Sequence, residues 1–246
     1  MHRFFCPQEN FIQTTLTITD QKEIHHLKNV LRLKEGDRIV LFNGQGKEAD
    51  ATITSIAENA IEVSLSDIRQ DEKKNFTIIL ACAIPKKAKF ESIIEKCTEL
   101  GVDEIIPLKT QRTEVIFSKE KMPDKVKRFQ TVAINASKQS NRKTIPAIHP
   151  VLSLSEALKH IDNSTLALIP HLSGKRKSLH EIMSQNPHAK KIMFFIGPEG
   201  DFTPEEIALA IKSGSIAVSL GETTLKVDTA AISVVAFAQL LLADEK

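Results

Sequence analysis

The stretch FFIGPEGDFTPEE, residues 194–206, decides the architecture of this chain. It continues an apolar run from Ile192 to Ile196, the pattern of a strand covered on both faces by helices. Gly197 and Gly200 then permit a close backbone approach or a positive φ, and Pro198 stiffens the turn between them. Thr203 suits a helix N-cap, Pro204 the first helical position, and Glu206 the carboxylate of a capping box. Gly214 is the natural C′ residue of the helix that follows. The segment reads as a strand, loop and helix corner of an α/β sheet, and such corners bind ligands. Taken alone, Gly-Pro-Glu-Gly is an ordinary tight turn; a second corner changes that reading.

The second corner is SLGETTLKVDTAA, residues 219–231. Ile216 to Leu220 reads as a short buried strand that ends at Gly221, and Thr229 to Leu242 as a helix apolar on most of its circumference. Such a helix must be buried by other protein, either its own sheet or a second subunit. Glu222, Lys226 and Asp228 lie between strand and helix. They are either solvated loop charges, with Asp228 capping the helix, or groups kept for chemistry. Ligand sites lie at the carboxyl ends of strands, which brings Ile169-Pro170-His171 beside the two corners, with His171 as wall rather than catalyst.

From Phe76 onward strands alternate with helices. TIILACAI precedes a helix whose core face is Phe90, Ile93, Ile94, Cys97 and Leu100 and which stops at Gly101. EIIPL, a helix around Val126 to Ser137, IPAIHPVL, SLSEALKHI, LALIPH, KSLHEIMSQ and KIMFFIG complete the series before the two corners. This alternation predicts a mainly parallel, doubly wound sheet and leaves strand order open. The first 66 residues read differently. Phe11 to Thr19 alternates apolar and polar residues, RIVLF leads to the turn Asn43-Gly44-Gln45-Gly46, and Asn59 separates EADATITSI from AIEVSLSDI. With a helix over Gln21 to Leu33, these strands predict a small β-barrel. RQDEKKN, residues 69–75, makes the linker, so domains are expected at 1–70 and 71–246.

Composition fits a two-domain protein of the cytoplasm. Of 246 residues, 41% are hydrophobic and 26% charged, no apolar run is long enough to span a bilayer, and MHRFFCPQEN lacks the apolar core of a secretory signal. Cys6, Cys82 and Cys97 form neither an even set nor a CxxC pair, so they are expected as free thiols, and no metal site is expected. Residues 119–144 hold eight basic residues against two acidic ones. That excess suits contact with a phosphate backbone, or equally a solvated helix face. With neither Trp nor Tyr, base stacking would fall to the 12 Phe. There is no GxxxxGK[ST] phosphate loop, and neither glycine corner spells GxGxxG, which argues against an unrelated nucleotide-using enzyme.

The two corners, together with MHRFF at the start, HHLKNVLRLKEGDRI (25–39), KFESIIEKCTELGVDEIIPL (89–108) and NASKQSNRKTIP (135–146), resemble the RsmE family over the whole chain and in the same order. Its members are SPOUT-class methyltransferases acting on N3 of a uridine in 16S ribosomal RNA, uracil 1498 in the family's target. The resemblance implies a SPOUT-like parallel sheet with a deep C-terminal trefoil knot, preceded by a PUA-like RNA-binding barrel. It implies S-adenosyl-L-methionine held by Pro170, His171, Ile196, Gly197, Pro198, Glu199, Gly200, Leu220, Gly221 and Leu225. RNA contacts are implied for Arg32, Arg112, Lys138, Gln139 and Arg142. The implied partners are 16S ribosomal RNA, naked or in the assembled small subunit, and a second copy of the chain in a homodimer.

Uracil N3 carries a weakly acidic proton, and its lone pair becomes useful only when that proton leaves. Arg142 or Lys226 is therefore expected to stabilise the resulting anion, while Asp228 orients the base or assists proton removal; Glu199 is a second carboxylate candidate. Here the chain departs from the family pattern Leu-Arg-x-Glu-Thr-Ala, reading Leu225-Lys226-Val227-Asp228-Thr229-Ala230, and Asp201 stands where glycine is common. The charge signs survive, but lysine lacks arginine's planar fork and aspartate reaches less far than glutamate. A second reading follows from these departures: an RNA-binding protein of this fold with weak or no methyl transfer.

Overall fold

A computed structural model describes residues 1–7, 11, 14–72, 74–86, 89–114, 119–172 and 174–243. The chain divides into two compact units, Met1–Lys73 with Ile134–Ile145, and Lys74–Ala133 with Pro146–Lys246.

The first unit is a five-stranded sheet with strands β1 (His2–Phe5), β2 (Thr15–Ile18), β3 (Arg38–Phe42), β4 (Lys47–Ile56) and β5 (Ile61–Gln70), in the order β1-β3-β4-β5-β2. β1 runs parallel to β3, and the other pairs are antiparallel. Among the described residues no pairing joins β1 to β2. Positions 12 and 13 of the alternating run from Phe11 lie outside the described residues, and the strand proper starts at Thr15. The turn into β4 takes the form its sequence predicts: Gly44 and Gly46 have φ of 75° and 100°, and Asn43 Oδ1 accepts the N–H groups of Gln45 and Lys47. Asp20 caps α1 (Gln21–His25) by accepting from Lys22 and Glu23, and the helix continues as a π-helical turn over His26–Val30. Ile24 and Leu27 from this segment join Phe4, Ile39, Leu41, Ile53 and Val63 in the core, whereas Val30 is exposed.

Beside that core sits a charge cluster. Glu48 accepts from Arg3 at 2.6 Å and Arg69 at 3.1 Å, and Lys143 stands 3.5 Å away. Burial disfavours the ionised carboxyl, but hydrogen bonds from Arg3 and Arg69 outweigh it and hold Glu48 below its ordinary pKa.

The second unit is an eight-stranded sheet. Its strands are β6 (Thr77–Ala83), β7 (Glu104–Lys109), β8 (Ala147–Ile148), β9 (Leu152–Ser153), β10 (Thr165–Pro170), β11 (Lys177–Ser178), β12 (Lys191–Ile196) and β13 (Ile216–Ser219). The order is β11-β13-β10-β12-β6-β7-β8, with β9 also on β7, and every pair is parallel. The helices are α2 (Lys89–Glu99), α3 (Met122–Gln139), α4 (Leu154–Ala157), α5 (Leu179–Gln185), α6 (Pro204–Lys212) and α7 (Val227–Ala243). α3 reaches from residues of the second unit into the segment counted with the first.

Period-two alternation explains why the central strands are apolar throughout. Ile79, Ala81, Ala167, Ile169, Met193 and Phe195 pack with Leu154 and Ala157 of α4 and Ala210 of α6. The intervening residues, among them Ile78, Leu80, Cys82 and Phe194, point to the other face, where α7 packs on β6, β12 and α2. The apolar helix α7 is thus buried on its own sheet, with Val234, Val235 and Ala238 fully covered. Cys6, Cys82 and Cys97 are buried and none is in a disulfide among the described residues, and burial pushes the Cys97 thiol up to about 12. No described helix is long and apolar enough to cross a membrane.

Replacing Glu48 by Ala leaves Arg3, Arg69 and Lys143 without their common partner, and we expect it to lower stability by about 3 kcal/mol in urea unfolding. Because the Glu48 pKa is depressed, its contribution is present above pH 4.5 and is lost as pH falls through the folded value, so the wild type and the variant converge in acid.

Candidate active site

β13, β10 and β12 are neighbours and parallel, so the loops that follow them leave from one edge of the sheet. These loops and the start of α7 enclose a cavity of about 240 Å³ lined by residues of three segments, 170–176, 196–201 and 220–230. Pro170, His171, Ile196, Gly197, Pro198, Glu199, Leu220, Gly221 and Leu225 all line it, as do Lys226 and the unanticipated Leu172, Arg176, Thr223, Thr224, Val227 and Ala230. Gly200 does not. Its carbonyl instead accepts from Arg112 Nη1 at 2.6 Å.

The first corner has the helix start read from its sequence. Thr203 Oγ1 accepts from the Glu206 N–H at 3.2 Å, Glu206 Oε2 accepts from the Thr203 N–H at 2.9 Å, and Pro204 occupies the first turn. The far end closes as a Schellman motif: Gly214, φ 96°, donates to Ile211 and Ser215 donates to Ala210. Of the two roles open to the corner's glycines, positive φ is not the one used, since neither Gly197 nor Gly200 has it. A Cβ on Gly197 would lie 3.1 to 3.2 Å from the buried Phe202 ring and backbone nitrogen, so glycine there makes room for Phe202. The left-handed residue is Asp201, at φ 60°. Its Oδ2 accepts the Leu172 N–H at 2.9 Å and its Oδ1 the Phe202 N–H at 2.8 Å, bonds that offset the conformational cost. Glu199 Oε1 accepts the Lys86 N–H at 3.1 Å.

At the second corner Gly221 has φ 126° and faces open space where a side chain would stand. α7 starts at Val227, which places Asp228 inside its first turn rather than at the cap; its Oδ1 accepts from the Thr229 N–H, and Lys89 Nζ lies 3.8 Å from its Oδ2. Lys226 is exposed and lines the cavity, while Glu222 is exposed and does not line it.

His171 is buried to 8% exposure, and among the described residues both its ring nitrogens are buried without a hydrogen-bond partner. Burial lowers its pKa, opposed by Asp201 and assisted by Arg176, so the imidazole is neutral at pH 7. Two buried polar atoms without partners cost free energy that a bound polar group can recover. His171 on the lining and the open side of Gly221 therefore suit a ligand whose polar groups reach the imidazole and which approaches the backbone closely.

The remaining residues singled out from the sequence belong to the first unit. Arg32 is exposed at φ 54°. Lys138 Nζ lies 2.8 and 2.9 Å from the two Glu23 oxygens, an ion pair largely withdrawn from solvent. Arg142 donates to Thr144 Oγ1, and its carbonyl accepts from Arg3. Gln139 is exposed, on a cleft it shares with Arg3, His26 and Asn141. Of the trio expected to act on the base, Lys226 and Asp228 thus share the start of α7, and Arg142 lies in the other unit.

A parallel sheet with a cavity at its carboxyl edge, preceded by a small mixed sheet, is the organisation of a two-part α/β protein with its ligand site at the strand ends. Residues 72–239 match the family described as an RNA methyltransferase domain, and residues 18–66 match an RNA methyltransferase PUA domain. The ribosomal RNA small subunit methyltransferase E of Synechocystis is 32% identical over 240 residues, 97% of this chain and 77% of that one. Its counterpart in Rickettsia conorii is 32% identical over 92% of this chain and 90% of its own length. The crystal structure of the corresponding Neisseria gonorrhoeae enzyme bound to S-adenosyl methionine superposes with a TM-score of 0.87 at 29% identity, covering 98% of both chains. The chain belongs to the ribosomal RNA small subunit methyltransferase E family.

Gly197→Ala should cost about 1–3 kcal/mol in urea unfolding, because the contact is partly with backbone and cannot be relieved by a rotamer change. The lowered His171 pKa gives a second expectation. The unfolded chain binds this proton first, so stability is full above pH 6.5 and falls as pH drops below it. His171→Leu should show a shallower decline over that window in equilibrium unfolding.

Proposed function

We propose that this protein methylates N3 of a uridine in 16S ribosomal RNA, using S-adenosyl-L-methionine held in the cavity at the edge of β13, β10 and β12. The observation that carries this reading is the convergence of three strand-end loops on one cavity with Lys226 on its wall and Asp228 in the adjoining turn. When bound, S-adenosyl-L-methionine supplies a methyl group already activated on a sulfonium, so the protein's work is positioning and preparation of the nucleophile. Backbone of the two glycine corners, with Pro170, Ile196, Leu220 and Leu225, would hold the cofactor; Gly200 would serve from behind, as the anchor of Arg112.

Removal of the N3 proton leaves negative charge on the uracil oxygens. The exposed ammonium of Lys226 is the cavity-wall cation available to stabilise it, and the Asp228 carboxylate orients the base or takes the proton. Glu199 is committed to the Lys86 N–H and holds its loop in place. In the first unit, Arg32, Gln139 and Arg142 are the side chains proposed to meet RNA, with Lys138 acting through its pair with Glu23. This reading includes domains over 1–70 and 71–246, a homodimer, residence in the cytoplasm and a knotted C-terminal region. In favour of the knot, the last long-loop strand, β13, pairs with β10 and not with β12, which precedes it in the chain.

The test is transfer of labelled methyl groups to small ribosomal subunits from cells that lack this protein, followed by nucleoside analysis. Labelled N3-methyluridine is the expected product; cofactor and RNA binding without transfer would establish the RNA-binding reading instead. Lys226→Ala should lower turnover about 100-fold with cofactor binding retained, and unchanged turnover would exclude the role. Arg142→Ala should weaken methylation and reduce its salt dependence, and an unaltered salt slope would remove the phosphate contact.

A further inference from the structure

The cavity wall carries four charged side chains, Arg176, Glu199, Asp201 and Lys226. Both carboxylates accept backbone N–H groups, and Lys226 stands beside Asp228 at the start of α7. Arg176 is placed differently. It immediately precedes β11, the edge strand paired with β13, and so enters the lining from the edge of the sheet. Val227 and Ala230 enter it from α7, which packs on β6 and β12 in the sheet's interior. The lining therefore receives Ile196, Val227 and Ala230 from the sheet's interior and α7, with Lys226 beside them, and the Arg176 guanidinium from the edge strand.

The guanidinium of Arg176 is half-buried and oriented by its neighbour. Its Nη1 donates to the His171 carbonyl at 2.6 Å, and its Nε and Nη2 have no hydrogen-bond partner among the described residues. A guanidinium held at one corner, with donors still free on its planar fork, is suited to a planar anion taken by two parallel hydrogen bonds. Solvent-exposed lysines would serve an RNA phosphate without such placement. The cofactor offers one planar anion, the carboxylate of its amino-acid moiety.

We propose that Arg176 binds the methionine carboxylate of S-adenosyl-L-methionine. This assignment rests on the cofactor reading above. It makes Arg176 a specificity residue that separates the intact cofactor from adenosine thioethers lacking the amino acid.

The test is calorimetric titration of the full chain with two ligands. S-adenosylhomocysteine carries the carboxylate, and 5′-methylthioadenosine keeps adenine, ribose and sulfur without the amino-acid group. Arg176→Gln should weaken S-adenosylhomocysteine binding about tenfold to a hundredfold and leave methylthioadenosine binding unchanged. Arg176→Lys should recover part of the loss, since it restores charge without the fork. Equal weakening of both ligands would mean that Arg176 acts only by holding the His171 loop, and would overturn the assignment. Undiminished S-adenosylhomocysteine binding with lost methylation would place an RNA phosphate on Arg176, and would overturn it as well. If the wild type bound neither ligand, the cofactor reading itself would fail and the assignment with it.

Discussion

Parallel pairing of β13, β10 and β12 places three loops at a single sheet edge, where the strands' last backbone groups have no ladder partner. Those groups must be satisfied locally or by solvent. Here charged side chains do it, three of them reaching from their own loop to the backbone of another. Glu199 accepts from Lys86, Arg112 donates to Gly200, Asp201 accepts from Leu172, and Arg176 donates to His171 within its loop. Glu206, beyond closing its capping box, also accepts from the Gln111 N–H at 2.9 Å. The loops after β6, β7, β10 and β12 are thereby fastened to one another by the residues that surround the cavity. Site and scaffold share the same side chains.

The two units use charge in opposite ways. In the first, Glu48 gathers Arg3, Arg69 and Lys143 around one carboxylate, and Lys138 is paired with Glu23. These charges are matched to each other and bring stability mainly through the cost of removing any one partner. At the cavity of the second unit the cations outnumber their carboxylate partners, because Glu199 and Asp201 are turned to backbone N–H groups. Arg176 and Lys226 keep donors for something outside the chain, which is the electrostatic arrangement a transfer site needs.

Local chemistry was the part of this architecture that could be read from sequence. Thr203, Pro204, Glu206 and Gly214 specify both ends of α6 within twelve residues, and the continuous apolar runs of β6 and β12 announce strands covered on both faces. Strand order was not legible, since it depends on which faces meet across long separations; nothing in Ile216 to Ser219 says that it pairs with β10. The contact made by Gly197 has a similar origin: its sequence allowed a close approach or a positive φ, and what a side chain there would meet is the Phe202 ring folded back from five residues on. The capping alternative for Asp228 placed the helix start at Thr229, two residues late. Arg176 gave no signal at all: within Lys175-Arg176-Lys177 it is one of three surface-like cations, and only the pairing of β11 with β13 turns it to the cavity.

The aspartate at position 201 has a consequence beyond its own strain. A residue with a side chain in the left-handed region is disfavoured, and glycine would adopt that backbone without penalty. Glycine would also release the turn at Leu172, because no carboxylate would remain to hold its N–H. The same side chain that makes the corner harder to form ties the neighbouring loop to it at Leu172. The chain's ordering entropy at the cavity is consequently lost during folding, and a ligand meets a preorganised wall.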